Sequence, residues 1–164
     1  METTKNKTTL LIMAAGMGSR FGSLKQLALL GPHKKTLLHY SIYDAVHAGF
    51  DKIVFIIRRS FENEFKEAVG KYAESLVETV YCFQEMDQLP GNLPPIQREK
   101  PWGTAHAIWA AKDHIHEPFI AINADDFYGR DAFVKMHDFV ASNSDERCFS
   151  LAGYRLAATL SENG

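Results

Sequence analysis

Cysteine is nearly absent from this sequence, which contains only Cys82 and Cys148 among its 164 residues. Two cysteines far apart in the chain, each in a segment predicted to be a strand, do not make the disulfide framework of a small secreted protein. The basic and apolar start of the chain resembles a secretory signal only faintly, because its apolar run is at the lower limit for one. We therefore expect a protein of a reducing compartment, the cytoplasm.

Long hydrophobic runs and an excess of charge of one sign are missing as well. No stretch approaches the ~20 apolar residues that cross a bilayer. Lys and Arg number 18 against 20 Asp and Glu, a formal net charge of -2, which gives no broad basic surface for nucleic acid or an acidic membrane. The composition argues against both partners, so a bound anion must be held by local groups.

The rest of the composition is that of a globular protein, with 46% hydrophobic and 23% charged residues. A chain of this length fits one domain with a real core, so we expect a single domain over residues 1–164. Its last residues, Ser161 to Gly164, are loop-like. We therefore expect the domain to be truncated at its C-terminus.

Apolar runs alternate along the chain with segments of helical periodicity. We predict strands in five ranges: Thr8–Ala14, Lys52–Ile57, Val77–Phe83, Phe119–Ala124 and Cys148–Tyr154. We predict four helices: Thr36–Ala48, one after Ser60, one opened by Gly103-Thr104 and continuing through Ala111, and about Asp131–Val140. This alternation predicts an α/β domain with a mostly parallel, doubly wound, Rossmann-like sheet.

Local signals support two of the helices and one long loop. Gly49 stands at the C′ position of the first helix, and Ser60 can cap the second. The second helix carries one apolar stripe that we assign to the core: Phe61, Phe65, Ala68, Val69 and Tyr72. The proline-rich segment from Pro90 to Pro101 predicts an irregular loop, of the kind that often forms a lid or binding loop.

The first predicted strand ends in a glycine-rich loop, within the stretch LLIMAAGMGSRFGSLKQL from Leu10 to Leu27. Gly16 and Gly18 let the backbone turn sharply and present its N–H groups. Arg20 and Lys25 add positive charge in the same short segment. The loop therefore indicates a phosphate site, although the glycines alone also fit an ordinary strand-to-helix turn.

Polar residues follow two further strands, Gln84 after the third and Asp125-Asp126 after the fourth. Because ligands bind at the carboxyl ends of strands in a doubly wound sheet, we expect these residues to share one cleft with the loop. The loop could neutralise a triphosphate, a carboxylate opposite it could hold Mg²⁺, and the Gln84 amide could bind the edge of a base. The pair Asp125-Asp126 also fits capping carboxylates before a turn.

Residues around the third helix add to this cleft. Gly103 would let a base or ribose lie close to the backbone, and Thr104 can cap the helix. We interpret His106 as mainly structural. His114 and His116 lie two apart and cannot share a helix face, so a metal role there is not expected. Lys34 and Lys35 predict a solvated turn.

The motifs together resemble the nucleotidyltransferase superfamily that activates sugar phosphates. The segment Ala14-Ala15-Gly16-Met17-Gly18-Ser19-Arg20-Phe21 resembles the family's A-A-G-x-G-[ST]-R-[FM] loop. Lys25-Gln26-Leu27 resembles the lysine segment that ends that loop. Gln84, Gly103-Thr104-Ala105 and Asn123-Ala124-Asp125 fall on further family motifs, in the family's order.

The resemblance implies an enzyme that joins a nucleoside monophosphate from an NTP to a sugar 1-phosphate or similar acceptor and releases pyrophosphate. By that resemblance Arg20 and Lys25 bind the triphosphate and stabilise pyrophosphate, while Asp125 ligates the catalytic Mg²⁺. The nucleotide-binding residues it implies are Ala14, Ala15, Gly16, Met17, Gly18, Ser19, Gln84, Gly103 and Thr104.

The resemblance covers the nucleotide-binding half that the family uses, and the acceptor-binding half is missing. Asp126 stands where the family often has an apolar residue, so we place it behind Asp125 rather than on the metal. The stretch from Arg20 to Lys25 is slightly shorter than in many relatives and has no proline before the lysine. The reach of Lys25 into the site is therefore open.

Two other functions remain alternatives at this point. A nucleotide-binding regulatory or scaffold domain would keep the same site without turnover. An NADP-dependent oxidoreductase would also need a strand, glycines and a helix, and Arg58-Arg59 could bind a 2′-phosphate. Phe21 stands where the oxidoreductase fingerprint G-x-G-x-x-G needs its third glycine, which argues against that class.

Overall fold

The apolar segment Thr9–Met13 forms strand β1 at the centre of the sheet. Both of its faces are covered, because Leu10 and Ile12 belong to one hydrophobic cluster and Leu11 belongs to another. The structure is a computed structural model, and it describes residues 7–16, 29–30, 32, 35–91, 102–143, 145 and 147–160. The core therefore consists of two layers, one on each side of the sheet.

The remaining strands are β2 to β6 in chain order. Their bounds are Leu29–Leu30, Lys35–Thr36, Lys52–Ile57, Glu78–Phe83 and Phe119–Asn123. The short β2 and β3 pair antiparallel, whereas the other four strands form a parallel sheet in the order β5-β4-β1-β6. The predicted mostly parallel, doubly wound sheet is confirmed.

Helices cover both faces of this sheet. The α-helices α1 to α5 are Leu37–Ala48, Glu62–Phe65, Lys71–Glu74, Thr104–Trp109 and Arg130–Ser142. A π-helical segment, Lys66–Gly70, joins α2 to α3, and short 3₁₀ turns lie at Arg59–Phe61 and Leu156–Ala158. Helices α1, α2, α3 and α5 pack in the larger cluster, and α4 contributes Ala107 to the cluster on the opposite face.

The ends of α1 agree with the sequence. The backbone N–H of Thr36 donates to Nδ1 of His39, so the residue before the helix is tied to its first turn. Gly49 has φ of 112° and its N–H donates to the carbonyls of Ala45 and Val46. The predicted glycine stop is confirmed, since a left-handed residue at this position suits glycine.

Two predicted elements differ in the structure. No described strand includes Cys148–Tyr154, whose Phe149 and Leu151 are 90% and 97% exposed. Alternating β-formers make a strand only where a neighbouring strand supplies hydrogen bonds and a packing surface. Ser60 caps no helix, because it lies inside the 3₁₀ turn Arg59–Phe61.

None of the helices in the described ranges combines the length and the hydropathy that a membrane span requires.

Candidate functional site

Strands β1, β5 and β6 all end at one edge of the sheet. The hydrogen bonds between neighbouring strands continue for one residue past the end of each of the three. The N–H of Ala14 donates to the carbonyl of Ile56 over 2.8 Å, and the N–H of Gln84 donates to that of Ile57 over 3.0 Å. The N–H of Ala124 donates to the carbonyl of Met13 over 3.2 Å. The segments that follow β1, β5 and β6 therefore leave the sheet at a common edge, as predicted.

The order in which strands are added to the sheet reverses at β1. Strands β4 and β5 lie on one side of β1, and β6 lies on the other. Strands β1 and β6 are neighbours, although β4 and β5 come between them in sequence, and Met13 pairs with Asn123. Such a switch point leaves a crevice at the carboxyl ends, where doubly wound folds bind ligands. Ala14 and Ala15 enter it as buried residues and Gly16 is exposed.

The rest of the predicted phosphate loop lies outside the described residues. This applies to Met17, Gly18, Ser19, Arg20 and Lys25. Their assignment remains a prediction from the sequence.

The two aspartates after β6 have different surroundings. The Asp126 carboxylate accepts hydrogen bonds from Asn123 Nδ2 at 2.8 Å and from the Tyr128 hydroxyl at 3.4 Å. Burial raises the pKa of Tyr128 and the nearby Asp126 charge acts in the same direction, so the hydroxyl stays protonated as a donor. Asp125 is exposed and makes no hydrogen bond or ion pair with any residue in the described ranges. Asp126 thus shapes the turn and leaves Asp125 to the solvent-facing side.

Neither aspartate caps the following helix. The N-cap of α5 is Gly129, with φ of 79°, and no side chain bonds to the first turn. Of the predicted capping pair, only Asp126 bonds within the turn before α5. In the described part of the chain no group of three or more His, Cys, Asp or Glu side chains could hold a metal ion.

The side chain of Gln84 is buried and bonded at the start of α4. Its Nε2 donates to the carbonyl of Trp102 over 2.8 Å and lies 3.2 Å from His106 Nδ1. His106 Nε2 lies 2.6 Å from the carbonyl of Gln88, and the Trp102 indole N–H donates to the carbonyl of Met86 over 3.0 Å. These contacts join the segment after β5 to the segment that opens α4.

Gly103 stands at the N-cap of α4, and Thr104 is the first helical residue. No side-chain capping bond is made there, so the predicted capping role of Thr104 is wrong. The helix ends at Trp109, and Ala110 and Ala111 continue in turns. A Cβ added to Gly103 would meet no described atom within 4 Å, and its φ of -68° suits any residue. The described residues therefore leave space beside this backbone.

The arginines after β4 have local partners. The Arg59 guanidinium lies 4.0 Å from the centre of the Phe83 ring, and its Nε is 3.5 Å from a Glu85 carboxylate oxygen. The Arg58 guanidinium lies 5.2 Å from the centre of the Phe61 ring. Both arginine side chains therefore contact neighbouring residues at the edge of the sheet.

Sequence reasoning missed Trp102 and Tyr128 as parts of this site, and it named Asn123 only as part of a family motif. Trp102 acts through its backbone carbonyl, which no residue type reveals. Asn123 and Tyr128 flank the aspartates that were predicted, and their contribution is to fix Asp126. Only their closeness in sequence to a candidate carboxylate could have indicated them.

Comparison with known proteins places these residues in a family. A family model described as nucleotidyl transferase matches residues 9–158. A UTP–glucose-1-phosphate uridylyltransferase of Bacillus subtilis is 28% identical over 130 residues, covering 71% of this chain and 43% of that protein. A bifunctional protein GlmU of Staphylococcus haemolyticus is 30% identical over 107 residues, covering 65% of this chain and 19% of that protein.

Two solved structures share the fold. A UDP-glucose pyrophosphorylase complexed with UDP-glucose superposes with a TM-score of 0.53 at 19% identity, over 81% of this chain and 53% of that one. Rv0371c from Mycobacterium tuberculosis gives a TM-score of 0.56 at 19% identity, over 82% of this chain and 60% of that one. The chain thus spans less than half the length of the curated relatives that it matches.

Proposed function

Because the chain belongs to the nucleotidyl transferase family, we propose that it binds an NTP in the crevice between β1 and β6 and transfers the nucleoside monophosphate to a phosphorylated acceptor. The acceptor is a sugar 1-phosphate or a similar phosphorylated small molecule, and pyrophosphate is released. The observation that carries this proposal is the common edge at which Ala14, Gln84 and Ala124 leave the sheet. Residues 1–164 form a single domain in this proposal.

The nucleotide is held by three segments of the site. The loop from Ala14 to Ser19 presents its N–H groups to the phosphates, and Arg20 and Lys25 neutralise the triphosphate. Gln84, Gly103 and Thr104 lie on the base and ribose. Open space beside Gly103 supports this placement, because a flat base needs close access to the backbone.

Asp125 is proposed as the ligand of Mg²⁺. Mg²⁺ prefers oxygen ligands and is commonly bound by one or two carboxylates together with substrate phosphates and water. An exposed carboxylate with no bond to another described residue fits that chemistry. When bound, the ion would neutralise charge on the phosphates.

The reaction needs no protein nucleophile. An oxygen of the acceptor phosphate attacks the α-phosphorus in line with the departing pyrophosphate, so the chain's task is positioning and charge neutralisation. Arg20 and Lys25 stabilise the pyrophosphate as it leaves. Gln84 and Gly103 keep the base in place while the phosphorus reacts.

Pyrophosphate release tests this function directly. The chain is assayed with Mg²⁺, each of the four NTPs and a panel of sugar 1-phosphates, and we expect one NTP–acceptor pair to turn over. Tight NTP binding without turnover for any pair would contradict catalysis and favour a regulatory or scaffold domain. Tight NADPH binding without NTP binding would instead favour an oxidoreductase.

A further inference from the structure

The side-chain amide of Gln84 contacts two hydrogen-bonding groups through the same atom. Its Nε2 lies 2.8 Å from the carbonyl oxygen of Trp102 and 3.2 Å from Nδ1 of His106. A backbone carbonyl can only accept a hydrogen bond, so the amide group that faces Trp102 is NH₂ and not oxygen. The contact with Trp102 therefore uses one N–H of the amide and favours this orientation, and the second N–H needs a partner of its own.

His106 fixes the amide in the same orientation through its own tautomer. Its Nε2 is 2.6 Å from the carbonyl oxygen of Gln88, which requires an N–H at Nε2. A neutral imidazole with its proton on Nε2 has an acceptor lone pair on Nδ1. Nδ1 therefore accepts the second N–H of Gln84, and both amide hydrogens are used.

The oxygen of the Gln84 amide is the part left for a ligand. Within the described ranges no residue donates to Oε1, although the Gln84 side chain is 7% exposed. A glutamine that reads adenine normally uses its N–H and its oxygen together. Gln84 cannot do so without breaking a bond to Trp102 or His106.

We propose that His106 is a positioning residue for base selection, which holds Gln84 so that Oε1 accepts the hydrogen on the ring nitrogen at the pairing edge of the nucleotide base. This inference rests on the proposed function and names its base chemistry. Uracil, thymine and guanine carry a hydrogen on a ring nitrogen of the pairing edge, whereas cytosine and adenine have an acceptor there. With Oε1 facing that ring nitrogen, Gln84 selects the first group, because cytosine and adenine could donate to Oε1 only from an exocyclic amino group in a shifted position.

The structure offers two substitutions of His106 that separate its two contacts. Asn at position 106 places an amide oxygen near the position of Nδ1, so His106→Asn keeps an acceptor for Gln84 and loses the contact with Gln88. Gln reaches the position of Nε2 instead, so His106→Gln keeps the contact with Gln88 and leaves Gln84 without its second acceptor. His114→Gln, at an exposed histidine in the turn that follows α4, is the matched control.

Titration calorimetry of the 164-residue chain with UTP, CTP and inorganic tripolyphosphate tests the proposal. We expect the wild type to bind UTP more tightly than CTP. In His106→Gln the ratio of the two affinities should fall about tenfold, the scale of one hydrogen bond lost at a buried amide, with tripolyphosphate binding unchanged. His106→Asn and His114→Gln should keep the ratio.

Each other outcome has a distinct meaning. A wild type that prefers CTP, an unchanged ratio in His106→Gln, or equal losses for all three ligands would overturn the positioning role and leave the triphosphate site standing. A wild type that binds neither NTP nor tripolyphosphate would overturn the proposed function, and the inference with it. Thermal unfolding of each variant shows whether a lost ratio reflects a lost fold.

Discussion

At the residue scale, the two neighbouring aspartates after β6 have separate tasks. Asp126 is engaged by Asn123 and Tyr128, whereas Asp125 makes no bond to another described residue. A carboxylate that is not needed for the turn can be removed without unfolding it. The pair therefore allows function and structure to be tested at adjacent positions.

We expect Asp125→Asn to abolish Mg²⁺-dependent pyrophosphate release and to leave the thermal unfolding temperature unchanged. The amide keeps the shape of the side chain and removes the negative charge that holds the ion. Asp131→Asn, on the exposed first turn of α5, serves as the control and should keep full activity. Full activity in Asp125→Asn would refute its role as the metal ligand.

Gly103 gives a second test that separates binding from folding. Gly103→Ala places a methyl group in space where no described atom lies within 4 Å, at an ordinary φ of -68°. The stability should therefore change by no more than about 0.5 kcal/mol, as at most surface positions. If a base lies on this backbone, NTP affinity should fall by about tenfold or more while tripolyphosphate affinity stays the same. Unchanged NTP affinity would place the base elsewhere.

A partly buried ion pair at the opposite edge of the sheet should make the fold sensitive to acid. Glu117 accepts hydrogen bonds from Lys52 at 3.0 Å and from the Thr9 hydroxyl, and Lys52 also donates to the His114 carbonyl at 2.5 Å. Burial alone would raise the pKa of Glu117, but these bonds, the His116 N–H and the Lys52 charge lower it from 4.5 to about 2.

The lowered pKa fixes the sign of the pH dependence. Between about pH 4.5 and 2 the unfolded chain binds a proton that the folded chain does not, so stability falls as pH falls through this window. At pH 7 Glu117→Gln should lose about 1–3 kcal/mol of unfolding free energy, and near pH 2 the two proteins should converge.

Urea unfolding at pH 7 and near pH 2 measures both quantities. Glu67→Gln, in an exposed pair with Lys71, is the control and should cost less than about 0.5 kcal/mol. Identical pH dependence in wild type and Glu117→Gln would contradict the assignment.

At the scale of elements, the helical segment after β4 shows what periodicity can and cannot predict. Its apolar stripe predicts the core correctly, since Phe61, Phe65 and Val69 are buried in the larger cluster. The stripe does not predict the π-helical turn Lys66–Gly70, which begins and ends within the same run. Gly70 packs beneath Tyr81 of β5, and that contact depends on the sheet.

Gly70→Ala should destabilise the protein by about 1–3 kcal/mol, the usual cost of overpacking. An added Cβ would overlap the Tyr81 hydroxyl, which donates to Glu74 over 2.7 Å. Burial, together with the Glu74 bond, raises the pKa of Tyr81, so this donor stays protonated. Without the overlap, alanine in a helix would stabilise by about 0.5–1 kcal/mol relative to glycine.

A double-mutant cycle with Tyr81→Phe isolates this contact. Removing the hydroxyl costs the bond to Glu74 but opens the space, so Gly70→Ala should cost clearly less in that background. Thermal unfolding of the four proteins gives the coupling. An equal cost in both backgrounds would show that the hydroxyl is not the obstacle.

At the scale of the whole molecule, the order β5-β4-β1-β6 places Ala14 to Gly16, which follow β1, beside the segment that follows β6. A ligand that contacts several segments around this crevice should stabilise the whole fold. We expect Mg²⁺ with the preferred NTP to raise the unfolding free energy by about 2.7 kcal/mol at a hundred times the dissociation constant. Differential scanning calorimetry measures the shift, and NADPH under the same conditions should give none. Stabilisation by NADPH alone would contradict the proposed ligand.

The sequence by itself determined the strands β1, β4, β5 and β6, the parallel sheet, the stop at Gly49 and the common edge at which the segments after β1, β5 and β6 leave the sheet. These follow from apolar periodicity, turn chemistry and strand order, which are local or nearly so. The sequence could not exclude a strand at Cys148–Tyr154, because pairing depends on a neighbour that the segment does not encode.

Only the tertiary structure decided how the site residues are held. The orientation of the Gln84 amide depends on the Trp102 carbonyl and on His106, which lie 18 and 22 residues further along the chain. Asp125 and Asp126 differ in their surroundings because the Tyr128 hydroxyl and the Asn123 amide bond to Asp126. These groups come together only in the folded turn. Backbone carbonyls carry no residue identity, and side-chain geometry is set by packing, so neither arrangement can be predicted from residue types alone.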